Sequence, residues 1–266
     1  PFAAFLRRET DVVISASPER FFQVQSPEFG VRNSEFRIQN QRIISVSPIK
    51  GTRRRGKNAA EDLRLREELL SSEKDRAENI MIVDLLRNDI GRICKYGSVA
   101  VEKLCDLETH PTLFHLVSTV RGELRDDAKF SEILKAVFPC GSITGAPKIR
   151  TMQIIDELET APRGLSMGAI GCSQSSKFKV NSSKFGVQSS EFGVQSFGSQ
   201  THHSPLTTHH YTDLSVAIRT MVVRGNEAIF NVGGGIVIDS VPEEEYAETL
   251  TKAQALLAAL NAEISF

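Results

Sequence analysis

Tryptophan is absent from this chain of 266 residues, tyrosine occurs three times, and the four cysteines are scattered with no CxxC spacing. Scattered cysteines exclude a disulfide framework and a zinc ribbon, and they point to reduced thiols at core or neutral positions in a cytoplasmic setting. No apolar run approaches the ~20 residues that a membrane-spanning helix needs, so no membrane role is expected. Charge of one sign is also lacking. The formal net charge of -1 gives no general attraction to nucleic acid or anionic lipid, so an anionic ligand would need a local site. The chain opens at Pro1 and enters a strand-like segment at 11–16, so no signal peptide is expected, and the chain reads as a fragment.

What is present is a hydrophobic content of 40%, enough to bury a substantial core as one large domain or two small ones. Strand patterns fall at 11–16, 42–46, 98–103, 214–223 and 228–232. Helical patterns fall at 59–70, 73–94, 130–137, 147–158 and 242–260, with Ser72 suited to an N-cap and Pro147 and Pro242 to first-turn positions. The order is that of an α+β protein with much antiparallel sheet, since regular strand-helix alternation is missing.

Two stretches, about 26–39 and 173–212, carry one repeating unit of the form Ser-x-x-Phe-x-Val, as in Ser182-Ser-Lys-Phe-Gly-Val-Gln188. Its apolar residues lie two and then five apart, which excludes a coiled-coil seam with its spacing of three and four. The repeats read as insertions into two surface hairpins, where added length costs little loop-closure entropy. His202, His203, His209 and His210 sit in the Ser/Thr-rich end of the second stretch without a surrounding cage, so they read as solvated.

Ser47-Pro48-Ile49-Lys50-Gly51-Thr52 places a lysine between an extended X-Pro segment and a glycine free to take positive φ, which would hold the amine in a fixed direction at a strand end. Alone it is equally a solvated lysine. Asp75 and Glu78 share one helix face, as do Glu245, Glu248 and Lys252 on the last helix. Acids in first turns are commonly solvated partners of the helix dipole, but two such faces in convergence would make an oxygen-rich site suited to magnesium. Arg219, read as lying within an apolar strand, would need a carboxylate partner. Gly234 and Gly235 could admit an anion to backbone N–H groups or could form a bulge, and Thr144 precedes a helix N-terminus. Glu19 could act as a general acid in an apolar pocket or as a turn acid beside Arg20; His115 borders an apolar run, where a core histidine is the commoner outcome.

In chain order, SPERFF (17–22), PIKGTRRRG (48–56), DRAENIMIVDLLRNDIGR (75–92), HLVSTVRG (115–122), FPCGSITGAPKIRTMQIIDELE (138–159), AIRT (217–220) and GGGIVIDSVPEEEYAET (233–249) closely resemble the chorismate-utilising enzymes. The resemblance covers nearly all of the chain outside the repeats. It implies an αββα sandwich of antiparallel sheets flanked by helices, whose N-terminal part is expected to be missing here, and a site for chorismate with Mg2+. Lys50 distinguishes branches of the family, because aminodeoxychorismate synthases carry a nucleophilic lysine here and anthranilate synthases typically carry alanine. The resemblance thus favours the para-aminobenzoate and folate branch, with ammonia supplied by a glutamine amidotransferase subunit; anthranilate synthase component I and a non-catalytic binding module are the alternatives. It implies Lys50 as nucleophile, Glu19 as the acid at the departing hydroxyl and His115 near the ring. Glu78 and Glu248 are implied as metal ligands supported by Asp75 and Glu245, and Thr144, Arg219, Gly234, Gly235 and Lys252 as substrate-binding positions. Ser166 stands where the family usually has a tyrosine, and Arg54 where it usually has proline.

Overall fold

The computed structural model describes residues 2–26, 41–175 and 210–262. Most of both repeat stretches, together with His202, His203 and His209, lies outside the described residues.

Two antiparallel sheets form the frame. The smaller has the order β1 (Phe2–Arg7), β2 (Val12–Ser17), β10 (Thr220–Arg224), β11 (Glu227–Phe230). The larger runs β5 (Ile49–Arg54), β7 (Leu113–Glu123), β4 (Ile43–Val46), β3 (Arg20–Gln25), β9 (His210–Val216), β8 (Ala169–Ser175), and β6 (Ala100–Thr109) also pairs with β7. Among the described residues there are five α-helices: α1 (Ala59–Ser71), α2 (Glu73–Gly91), α3 (Phe130–Val137), α4 (Lys148–Leu158) and α5 (Pro242–Ala259). This is the α+β arrangement of antiparallel sheets and flanking helices that the sequence leads one to expect. Residues 173–175 and 210–212, assigned above to the second insertion, are instead paired ends of β8 and β9.

The main core lies between the larger sheet and α2. Phe22, Val24, Ile44, Val46 and Val120 meet Ile82, Leu86 and Ile90, which recur every four residues along one face of α2. Each such side chain contributes about 1.5–3 kcal/mol when fully buried, so α2 is held by its apolar stripe, leaving its first turns free to carry charge. Ser72 caps α2 by accepting from the Asp75 amide, and Pro242 occupies the start of α5; Pro147 stands one position earlier than expected, at the N-cap of α4.

The apolar stretch 214–223, read from sequence as one strand, is two strands in different sheets. The break falls at Arg219, whose φ of 49° turns the chain from β9 into β10. A matching passage joins β2 to β3 at Ser17–Arg20. The two crossings lie side by side, with the Ala16 amide donating to Arg219 O at 3.1 Å and the Val216 amide to Glu19 O at 3.1 Å.

Candidate active site

Lys50 lies in β5 where the pairing with β7 shifts register between Ile49 and Thr52. Such a bulge re-aims side chains, and the Lys50 amine turns toward α2. It donates to Glu78 Oε1 at 2.7 Å and faces the Ser142 carbonyl oxygen at 3.4 Å. Gly51 has a φ of 84°, and a Cβ there would meet Asp75 Cβ and Leu69 Cδ1 at 3.0 Å. Only glycine permits both this turn and this approach of α2. Arg53 then bridges the two helices, donating to Glu68 Oε1 on α1 at 2.9 Å and to Asp75 Oδ2 on α2 at 3.1 Å.

The segment Gly233–Gly235 brings α5 to the same place. A Cβ on Gly235 would lie 3.3 Å from Glu78 Oε1 and 3.7 Å from Lys50 Nζ; one on Gly234 would lie 3.2 Å from Glu245 Oε2 and 3.8 Å from Lys252 Nζ. The acidic faces of α2 and α5 therefore approach one glycine segment from its two sides. Lys252 pairs with Glu248 at 2.7 Å and donates to Gly233 O at 3.2 Å, and Glu245 accepts from Ser240 at 2.6 Å. Among the described residues no group of three or more side chains stands ready as a metal cage. The carboxylates of α2 and α5 are hard oxygen donors, the type of which magnesium takes a few together with waters.

Glu19 is buried at the crossing from β2 to β3. Burial pushes its carboxyl above the usual range, against the hydrogen bond from Ser142 and the charge of Lys50, which favour the ionised form. A carboxyl whose protonated form is favoured in this way is suited to donating a proton. His115 on β7 shares a hydrogen bond between Nδ1 and Thr52 Oγ1 at 2.8 Å, and its ring meets that of His110 edge to face at 5.5 Å. Burial first, then the neighbouring His110 and Arg219, lower its pKa, and the imidazole is held neutral.

Two expected positions differ in detail. Arg219 is exposed at the sheet crossing and is not inside a strand, so no buried charge demands a partner there. Thr144 turns its hydroxyl back onto Cys140 O at 3.0 Å and lines a cavity of about 440 Å3 with Ile143, Met152 and Arg163; none of Lys50, Glu19 and Glu78 borders that cavity. It is Ser142, in the 3-10 turn Gly141–Ile143, that touches both Glu19 and Lys50. Sequence reasoning passed over Ser142 and Arg53. The available signals were the position of Ser142 inside the glycine-bounded turn and that of Arg53 three residues beyond Lys50.

A lysine amine beside the Glu78 carboxylate, a buried acid whose pKa is raised and a glycine segment approached by two acidic helices thus stand on one α+β frame. The chain belongs to the family described as chorismate binding enzyme, whose model matches residues 1–181 and 206–258 and so passes over the centre of the second repeat stretch. Anthranilate synthase component 1 of Aquifex aeolicus is 43% identical over 236 residues, 89% of this chain and 40% of that protein. Aminodeoxychorismate synthase component 1 of Bacillus subtilis is 38% identical over 261 residues, 98% of this chain and 45% of that protein. Anthranilate synthase component I of Streptococcus pneumoniae superposes with a TM-score of 0.66 at 33% identity, covering 96% of this chain and 46% of the other. The chain thus spans less than half the length of these relatives. Among the described residues, no helix is long and apolar enough to cross a membrane.

Proposed function

We propose that the chain is the chorismate-processing part of an aminodeoxychorismate synthase component I, forming 4-amino-4-deoxychorismate from chorismate and ammonia. The observation that carries this reading is the Lys50 amine, held 2.7 Å from Glu78 with the buried acid Glu19 across Ser142. Attack requires the neutral amine, and Glu78 is within reach of its proton. The Nζ lone pair bonds to C2 of chorismate, the ring π electrons shift, and the C4–O bond breaks as Glu19 protonates the departing hydroxyl to water. Ammonia then bonds to C4, the electrons shift back and the C2–N bond breaks, which returns Lys50; the proton shed by the new ammonium restores Glu19. Splitting one difficult substitution into two gives the lysine its purpose. Magnesium, held by Glu78 and Glu248 with Asp75 and Glu245 in support, would neutralise a substrate carboxylate. Arg219, the Gly234–Gly235 backbone and Lys252 offer positive charge and N–H donors to the carboxylates, and neutral His115 faces the ring. A glutamine amidotransferase subunit would supply the ammonia.

The chain incubated with chorismate, magnesium and ammonium salt should yield 4-amino-4-deoxychorismate, and Lys50→Ala should abolish it. Unchanged product formation in Lys50→Ala would exclude covalent catalysis. Fluorescent anthranilate as the product would favour anthranilate synthase, the name carried by the relative at 43% identity. Magnesium-dependent chorismate binding without turnover in a protein extended to the full length of the relatives would favour a binding module.

A further inference from the structure

We propose that the buried ion pair of Asp89 and Lys148 is a positioning device that holds Ser142 against Glu19 by fastening both ends of the loop 138–147 at one point. Lys148 is the first residue of α4, and its amine reaches Asp89 Oδ2 on α2 and, at 3.1 Å, Val137 O at the end of α3. Val137 and Lys148 are the residues that flank the loop, so a single ammonium closes it. Arg92 tightens the same knot, donating to Asp89 Oδ1 at 2.6 Å and to Ala136 O at 3.4 Å.

Stability alone does not call for this chemistry. The Asp89 side chain is 0% exposed and that of Lys148 10%, amid Ile90, Ile93, Ala136 and Val137. An apolar pair of similar volume in such a place is often as stable as the ion pair or more so. What the ion pair supplies and an apolar pair does not is direction: a charged donor bound to two fixed acceptors sets the separation and the angle of the loop ends. The loop's middle carries Ser142, whose hydroxyl contacts Cys140 Sγ at 3.2 Å and lies near enough to the Glu19 carboxyl to favour its ionised form, and whose carbonyl faces Lys50. Asp89 and Lys148 touch none of the proposed reacting atoms, so they are positioning residues that act through Ser142.

The role of Glu19 as an acid rests on the function proposed above, but the influence of Ser142 on it can be followed without substrate. The groups that face Glu19 are Lys50 on β5 and, on the loop, Ser142 and Cys140; the Cys140 thiol, pushed up to about 12 by burial, stays neutral across the pH range used. The test is an infrared pH titration of the protonated Glu19 carboxyl in the whole chain, with the band identified by its loss in Glu19→Gln. Asp89→Leu combined with Lys148→Met should remain folded by circular dichroism, and should raise the Glu19 midpoint by about half a unit or more, as Ser142→Ala does, because the bond that favours the carboxylate is lost. A midpoint equal to that of the unaltered chain in the folded double variant would overturn the proposal. Should the double variant fail to fold, Lys148→Met, which removes the closing ammonium while Arg92 keeps Asp89 paired, carries the same test, and an unmoved midpoint there is equally decisive. A purely structural role would lower the melting temperature and leave the midpoint in place. Absence of chorismate turnover would bear on the proposed function and leave this result untouched.

Discussion

The Lys50–Glu78 contact can be weighed by a double-mutant cycle of Lys50→Met, Glu78→Gln and the two together. Both side chains are largely withdrawn from water, at 17% and 19% exposure, and their atoms lie 2.7 Å apart. A fully exposed pair would couple by about 0.2–1 kcal/mol. Partial burial raises the Coulombic attraction and the desolvation cost together, so the expected interaction energy is about 1–2 kcal/mol. Lys50→Met alone should cost more, about 2–3 kcal/mol, because it leaves a half-buried carboxylate without its cation. Its loss of the longer contact with Ser142 O cancels within the cycle. Urea unfolding followed by circular dichroism measures each corner, with constant slope m as the check that unfolding remains two-state. A coupling below about 0.3 kcal/mol, the limit of simple additivity, would show that the amine is not held by Glu78 and would remove the geometric basis for a directed nucleophile.

Gly51→Ala should destabilise the chain by about 1–3 kcal/mol in the same urea assay, since alanine is strained at positive φ and its Cβ would press on Asp75 and Leu69 at 3.0 Å; a change under about 0.5 kcal/mol would contradict so close an approach of α2 to β5. Glu19→Gln should gain stability relative to the unaltered chain as pH rises. The raised folded pKa leaves Glu19 without penalty below its unfolded value of 4.5, and the cost of ionising it in place then accumulates as pH climbs toward the folded pKa. Melting temperatures of the two proteins that run parallel from pH 4 to pH 8 would count against a buried, protonated Glu19. Asp62 has the opposite sign: the Arg55 guanidinium and the Gly56 amide lower its pKa to about 2, so its stabilising part is present above 3.8 and fades as pH falls through 2. Asp62→Asn should therefore lower the melting temperature at neutral pH and converge on the unaltered chain in strong acid; a constant difference would exclude the ion pair as its cause.

The parts of the site legible in sequence are those set by local chemistry. The X-Pro-x-Lys-Gly order determined where Lys50 and the turn at Gly51 would fall, and helical spacing put Asp75 with Glu78 and Glu245 with Glu248. Sheet membership was not legible. An alternating apolar run looks the same whether its strands remain in one sheet or divide between two, and the residue at the division is an arginine, which gives no warning of positive φ. Ser142 escaped for a related reason: its importance comes from Glu19 and Lys50, which lie far from it along the chain and reach it only through tertiary packing.

The two sheet crossings explain why a buried acid and an exposed guanidinium occur at one place. Each crossing interrupts a strand ladder, and the backbone groups freed there find each other: Val216 N–H bonds to Glu19 O, and Ala16 N–H bonds to Arg219 O. The positions of Glu19 and Arg219 are thus set by main-chain bonds between adjacent crossings and owe little to their own side-chain contacts. Burial then divides their roles, because the carboxyl faces the loop carrying Ser142 while the guanidinium remains in solvent near His115. Lys50 reaches the same place from a third irregularity, the bulge in β5. Three departures from regular sheet therefore converge on one site, and each frees a polar side chain that a continuous strand would have aimed along its own face.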